Sequence, residues 1–107
     1  MLTGKQRAML KSESHDYKPV VNIGKFSLTD DVINAVEEAL EARELIKINV
    51  LQNCADDPKE IAAIVSERTR SQVVQVIGKK IVLYKEAKDE KKRKIELPPA
   101  KKKKAEQ

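Results

Sequence analysis

The sequence predicts an α+β (α/β) fold: an N-terminal helix, then a β-α-β-α-β-β run that builds a four-stranded mixed sheet packed with helices. Three observations carry that prediction. Apolar residues switch repeatedly between helical spacing and strand-like alternation along the first 84 positions. Cap residues at Thr3, Thr29 and Asp57 mark helix starts, and a glycine at position 78 separates two β-branched runs that fit a hairpin.

The first helix follows from Thr3-Gly4-Lys5-Gln6, a capping box in which the Thr hydroxyl and Gln amide satisfy each other's backbone N–H groups. It should run to about His15. Pro19 disfavours helix before it and admits a strand over 20–23. Thr29 is the expected N-cap of the second helix, with Asp30 and Asp31 at the positive end of its dipole and Leu28 and Ile33 placed as a hydrophobic staple. Val32, Ile33, Val36, Ala39 and Leu40 recur at helical spacing and leave Glu37, Glu38 and Glu41 on the wet side, to an end near Arg43.

Leu45-Ile46-Lys47-Ile48-Asn49-Val50 alternates from Ile46 onward and reads as a half-buried strand. Asp57-Pro58-Lys59-Glu60 then opens a third helix with a cap, a first-turn proline and a reciprocal Glu, and Thr69-Arg70-Ser71 closes it. Val73–Ile77 and Ile81–Tyr84 flank Gly78-Lys79-Lys80 as an antiparallel hairpin. Two β-α-β passages call for parallel pairings and the hairpin for an antiparallel one, so the sheet should be mixed.

At 107 residues there is room for one domain, over 1–97, with 98–107 a basic, disordered tail. No apolar run reaches the roughly 18 residues of a membrane span, so a cytoplasmic protein without a membrane partner is expected. One cysteine, Cys54, and one histidine, His15, supply neither an internal disulfide nor a zinc cluster. Neither metal nor cofactor is expected.

The net charge of +5 lies in the tail: residues 1–84 hold twelve Lys/Arg and twelve Asp/Glu, residues 85–107 ten against five. Within the neutral part the signs segregate. Residues 1–28 carry five basic and two acidic groups, 29–67 three and ten, 68–84 four and none. Were the two basic segments to meet in space they would form a positive face backed by an acidic one, a polarity that orients a protein on a polyanion. The charge runs also fit ordinary solvated faces. A strand that stops at Gly24, passes a lysine and enters a helix is a common way to present backbone N–H groups to an anion, which makes phosphate the first ligand to consider.

Several segments resemble one family. Leu2-Thr3-Gly4-Lys5-Gln6-Arg7, Lys18-Pro19-Val20-Val21 with Ile23-Gly24-Lys25, Ala39-Leu40-Glu41 with Glu44-Leu45-Ile46-Lys47, Val74-Gln75-Val76-Ile77-Gly78-Lys79 with Val82-Leu83-Tyr84, and Lys94-Ile95-Glu96-Leu97-Pro98 are similar, in order and spacing, to the small bacterial RNA-binding proteins of the YhbY type. Those proteins are single CRM domains, named for chloroplast RNA splicing and ribosome maturation. The resemblance covers about residues 2 to 98. It implies a fold similar to the C-terminal domain of translation initiation factor three, association with precursor large ribosomal subunit RNA and the precursor subunit itself, and no catalysis. Plant relatives with repeated domains assist intron splicing.

The family's Gly-x-x-Gly loop, placed like that of KH domains to clamp nucleotide backbone, falls here on Gly24-Lys25-Phe26-Ser27, with serine in place of the second glycine. If that position needs a positive φ, serine costs about 1 kcal/mol relative to glycine. The expectation adopted is ordinary dihedrals, leaving the Ser27 hydroxyl free to meet a phosphate or cap the helix. Gly24 would let the chain turn and a phosphate approach, and Lys25 would contact it. Phe26 either stacks on a base or anchors the loop in the core; at 3% aromatic residues an extended stacking platform is not expected. Lys5, Arg7, Lys11 and Lys18 would extend the positive face, with Arg68, Arg70, Lys79 and Lys80 at its rim.

The function expected is therefore RNA binding by a monomer, with no small-molecule substrate. One alternative is a protein adaptor using acidic Glu37, Glu38 and Glu41 on a basic ribosomal protein; another is a splicing or RNA-chaperone role. An enzyme is disfavoured, because no nucleophile elbow or Walker-type loop is present.

Overall fold

A computed structural model describes residues 2–86, and it shows seven elements among them: α1 (Gly4–Ser14), β1 (Val21–Ile23), α2 (Asp30–Arg43), β2 (Leu45–Val50), α3 (Pro58–Thr69), β3 (Gln72–Ile77) and β4 (Lys80–Tyr84). The expectations for 87–107, including the disordered tail and the resemblance at Lys94–Pro98, lie outside the described residues.

The caps form where the sequence places them. Thr3 Oγ1 accepts the Gln6 N–H at 3.1 Å while Gln6 Oε1 accepts the Thr3 N–H at 3.0 Å, so two orphan donors of α1 are met reciprocally. Thr29 Oγ1 takes the Val32 N–H at 3.2 Å, and Asp57 Oδ1 takes the Lys59 N–H at 3.0 Å with Pro58 in the first turn; the reciprocal bond expected of Glu60 is corrected, because Asp57 caps one residue earlier and α3 starts without a capping box. Each cap is worth about 1 kcal/mol. The C-terminal end of α3 is closed by Arg70 at φ 58°, with the Ser71 N–H returning to the Ser66 carbonyl at 2.9 Å, the bond of a Schellman turn. Between α2 and β2 the connection is the single residue Glu44, whose φ of 65° reverses the chain.

The sheet order is β1-β2-β4-β3. β1 pairs parallel with β2, while β4 is antiparallel to both β2 and β3. The expectation of two parallel pairings needs correction. β3 does run parallel to β2, but β4 inserts between them, because folding the hairpin back lets β4 pair on both edges and moves β3 to the outside. The hairpin loop is Gly78-Lys79, with Ile77 opposite Lys80 and Gly78 at φ 56°, as a two-residue loop led by glycine requires.

Strand alternation sorts the side chains onto two faces. Ile23, Ile46, Ile48, Val50, Ile81 and Leu83 share one core with Ile33, Val36 and Leu40 of α2 and Ile61 and Val65 of α3. Leu45, Val82 and Tyr84 face the other way and pack with Leu2 and Leu10 beside α1. Helices thus cover both faces, two on one and one on the other.

Val73 and Val76 both pack against the α2/α3 core, although strict alternation would send residues three apart to opposite faces. A β-bulge at Val74 resolves the conflict by inserting one residue between the Val73–Leu83 and Gln75–Val82 pairs. Val74 joins the α1 core.

Candidate nucleic-acid interface

The loop after β1 is held at the end of the sheet where β1 and β2 finish and β4 begins. The Leu51 N–H reaches the Ile23 carbonyl at 2.8 Å and the Val50 N–H reaches Lys79 at 2.8 Å, so residues 51–53 and the hairpin loop lie beside it. The Ser27 N–H closes a four-residue turn on the Gly24 carbonyl at 2.9 Å.

Conformational demand within this turn falls opposite to expectation. Ser27 has φ 57°, in the left-handed region, so the expectation of ordinary dihedrals there is corrected: the turn must reverse before Leu28 can pack against the core and Thr29 can cap α2. Gly24 has no positive φ. A Cβ added to it would lie 3.4 Å from Asn53 Oδ1 and 3.5 Å from Leu51 Cδ1, ordinary contacts.

Phe26 is 78% exposed at the loop tip, which removes the core-anchor alternative. Lys25 Nζ lies 5.8 Å from the centre of its ring, within cation–π range, so the pair presents a charge and an aromatic face together. The first turn of α2 already carries Asp30 and Asp31, whose charges offset its positive end. Lys25 is the one cation within the turn itself.

The remaining basic residues divide. Arg7 donates from Nη1 to the Val73 carbonyl, and to the Val74 carbonyl at 3.3 Å, so its guanidinium pins α1 to the bulge of β3. Arg68 Nη2 is 3.8 Å from Asp30 Oδ1, an exposed pair linking α3 to the start of α2. Arg70 supplies the backbone cap of α3. Lys5 stands in the first turn of α1, near Leu2, whose N–H bonds Gln72 at the sheet end away from the loop. Lys18 is exposed and lines a groove at the β1 side with Tyr17, Arg43 and Lys47. Burial, and then the Glu13 carboxylate that accepts its hydroxyl at 3.2 Å, push the Tyr17 phenol above its ordinary range.

Lys11 and Lys80 do come together. They line a groove of about 740 Å³ between the end of α1 and the sheet, with Ser12, His15, Lys47, Gln75 and Ile77; Asp16 supplies its carboxylate. Lys79 is exposed in the adjoining hairpin loop. Lys47 lines the same groove, outside the basic face expected from the sequence. Alternation had already put it and Asn49 on one phase of β2, but that this phase stays partly uncovered by α1 is a tertiary fact. Cys54, in contrast, is buried in the α2/α3 core.

A three-layer domain with a lysine-bearing loop at the sheet end and a lysine-lined groove beside it has the outline of a polyanion-binding module. The profile of the CRS1 / YhbY (CRM) domain matches residues 2–85, and the chain belongs to that family. It is 51% identical over 98 residues to the probable RNA-binding protein YqeI of Bacillus subtilis, covering 92% of this chain and 100% of the relative. It is 35% identical over 97 residues to an RNA-binding protein of Haemophilus influenzae, covering 91% and 95%. The solution structure of SAV1595 from Staphylococcus aureus, a candidate RNA-binding protein, superimposes with a TM-score of 0.75 at 50% identity, covering 92% of this chain and 100% of that one.

Proposed function

We propose that this protein binds RNA, and that it does so on precursor large ribosomal subunit RNA as a cytoplasmic assembly factor acting as a monomer, without catalysis. The observation that carries the reading is the loop: Lys25 beside an exposed Phe26, on a turn fixed by the Ser27–Gly24 bond, at the sheet end that also carries Lys79 and Lys80. An ammonium and an aromatic face in one place match the two surfaces of a nucleotide, its phosphate and its base. The names of the relatives support RNA as the partner, and the resemblance to YhbY-type proteins supports the ribosomal precursor. Recognition would proceed through backbone and shape at the loop, with Lys11 and Lys18 extending the contact.

Sedimentation of a cell extract tests the assembly role. The protein should travel with precursor large-subunit fractions and return to the light fractions after ribonuclease treatment; confinement to the light fractions before digestion contradicts it.

A further inference from the structure

The half of the sheet that α1 leaves uncovered carries a row of side chains outside the loop. Register places Asn22 beside Asn49, Asn49 beside Lys80, and Lys80 beside Ile77, one residue from each of the four strands. The next row sets Lys47 beside Val82 and Val82 beside Gln75. Gln75 and Ile77 share this face because of the bulge at Val74, without which the strand would turn Gln75 away.

The chemistry of these rows is mixed in a particular way. Lys11, Lys47 and Lys80 supply positive charge, opposed in the groove by the carboxylate of Asp16, with His15 beside it. Lys47 Nζ donates to the His15 carbonyl at 3.4 Å, and an ammonium has further donors to give. Asn22, Asn49 and Gln75 supply carboxamides, each both donor and acceptor, the groups that pair with base edges. Ile77, 59% exposed, offers an apolar face of the kind a base can lie on. Four strands at about 4.8 Å spacing make the first row roughly 14 Å across.

We infer that this half-face, which α1 and the other described elements leave uncovered, is a second RNA-contacting surface: it takes a single-stranded segment, with phosphates on Lys11, Lys47 and Lys80 and base edges on Asn22, Asn49 and Gln75. The inference rests on RNA being the partner, and it assigns sequence preference to the sheet where the loop reads backbone. Unstacked bases suit these carboxamides better than a duplex, whose wide, shallow minor groove is recognised mostly through shape, 2′-hydroxyls and phosphates. In A-form RNA the major groove is too deep and narrow for side chains, whereas unstacked bases in a single strand expose their edges.

The test uses the full chain, fluorescently labelled oligo(U) and oligo(A) 12-mers and a duplex of equal length, with anisotropy read from 50 to 200 mM salt. Wild type should bind the single strands more tightly than the duplex. K47Q/K80Q should weaken both homopolymers roughly ten-fold at 50 mM salt and lower the salt slope by roughly 1.4, the share of two phosphates on a single strand. N49A/Q75A should narrow the difference between oligo(U) and oligo(A) at unchanged slope. Without any substitution, the side-chain NH₂ resonances of Asn22, Asn49 and Gln75 should shift on titration with the preferred oligomer. Unmoved amide resonances, a stronger hold on the duplex, or displacement of RNA by polyglutamate at equal charge each overturn the inference. If Lys25→Gln alone weakens binding while the sheet variants bind as wild type, the sheet proposal fails and RNA binding stands; no binding by wild type removes both.

Discussion

Ser27 holds a backbone conformation that glycine adopts at lower cost, and it does so at the centre of the candidate site. Its φ of 57° costs about 1 kcal/mol, so Ser27→Gly should raise the unfolding free energy by about that amount in urea titration, whereas Gly24→Ala, with room for a Cβ, should change it by less. The opposite ranking would show that the turn places its strain elsewhere. Sequence exposed the loop but not this assignment, because two residues at the ends of one four-residue turn carry no local signal for which of them reverses the chain. Phe26 is a comparable case: its type fits both core and solvent, and only the finished fold shows it bare. At the same scale, Phe26→Ala should cost about 1–3 kcal/mol of RNA binding if a base stacks there.

The elements were largely legible because their signals are local. The Thr3/Gln6 box, the Thr29 and Asp57 caps and the glycine-led hairpin each involve residues within four positions, and each appears, though Asp57 caps without the reciprocal Glu60 expected of it. Insertion of β4 between β2 and β3 was not legible, since it depends on a choice between pairings distant in sequence. Nor was the bulge, which reconciles two cores on opposite faces of β3. Arg7 ties these together by donating to both bulge carbonyls. Arg7→Leu should therefore destabilise the fold by about 1–3 kcal/mol, because the Val73 and Val74 carbonyls lose a charged partner. An unchanged melting temperature would free Arg7 from this structural role.

Across the whole molecule the sequence's charge segregation becomes a spatial one in part. Lys11, Lys47 and Lys80 converge beside the sheet end that bears Lys25, while Glu37, Glu38 and Glu41 lie exposed on α2, in the layer across the sheet from that groove. Lys5, Arg7, Arg68 and Arg70, equally basic in a count, are placed or engaged elsewhere. Removing residues 99–107, with four lysines and one glutamate, should weaken binding to any polyanion by a similar factor and leave the ratio between wild type and a loop variant unchanged, since counterion release depends on charge and not on sequence. A deletion that erased that ratio would transfer the site to residues 99–107.

On the proposed function, the loop at Gly24–Ser27 grips RNA backbone through Lys25. The most direct test is the affinity of the full chain, wild type against Lys25→Gln, for a transcript of large-subunit ribosomal RNA between 50 and 200 mM salt. The variant should form a weaker complex at every salt concentration, with a log–log slope lower by about 0.7 to 0.9, the share of one phosphate contact. Equal affinity and equal slope, with melting temperature unchanged, would contradict it.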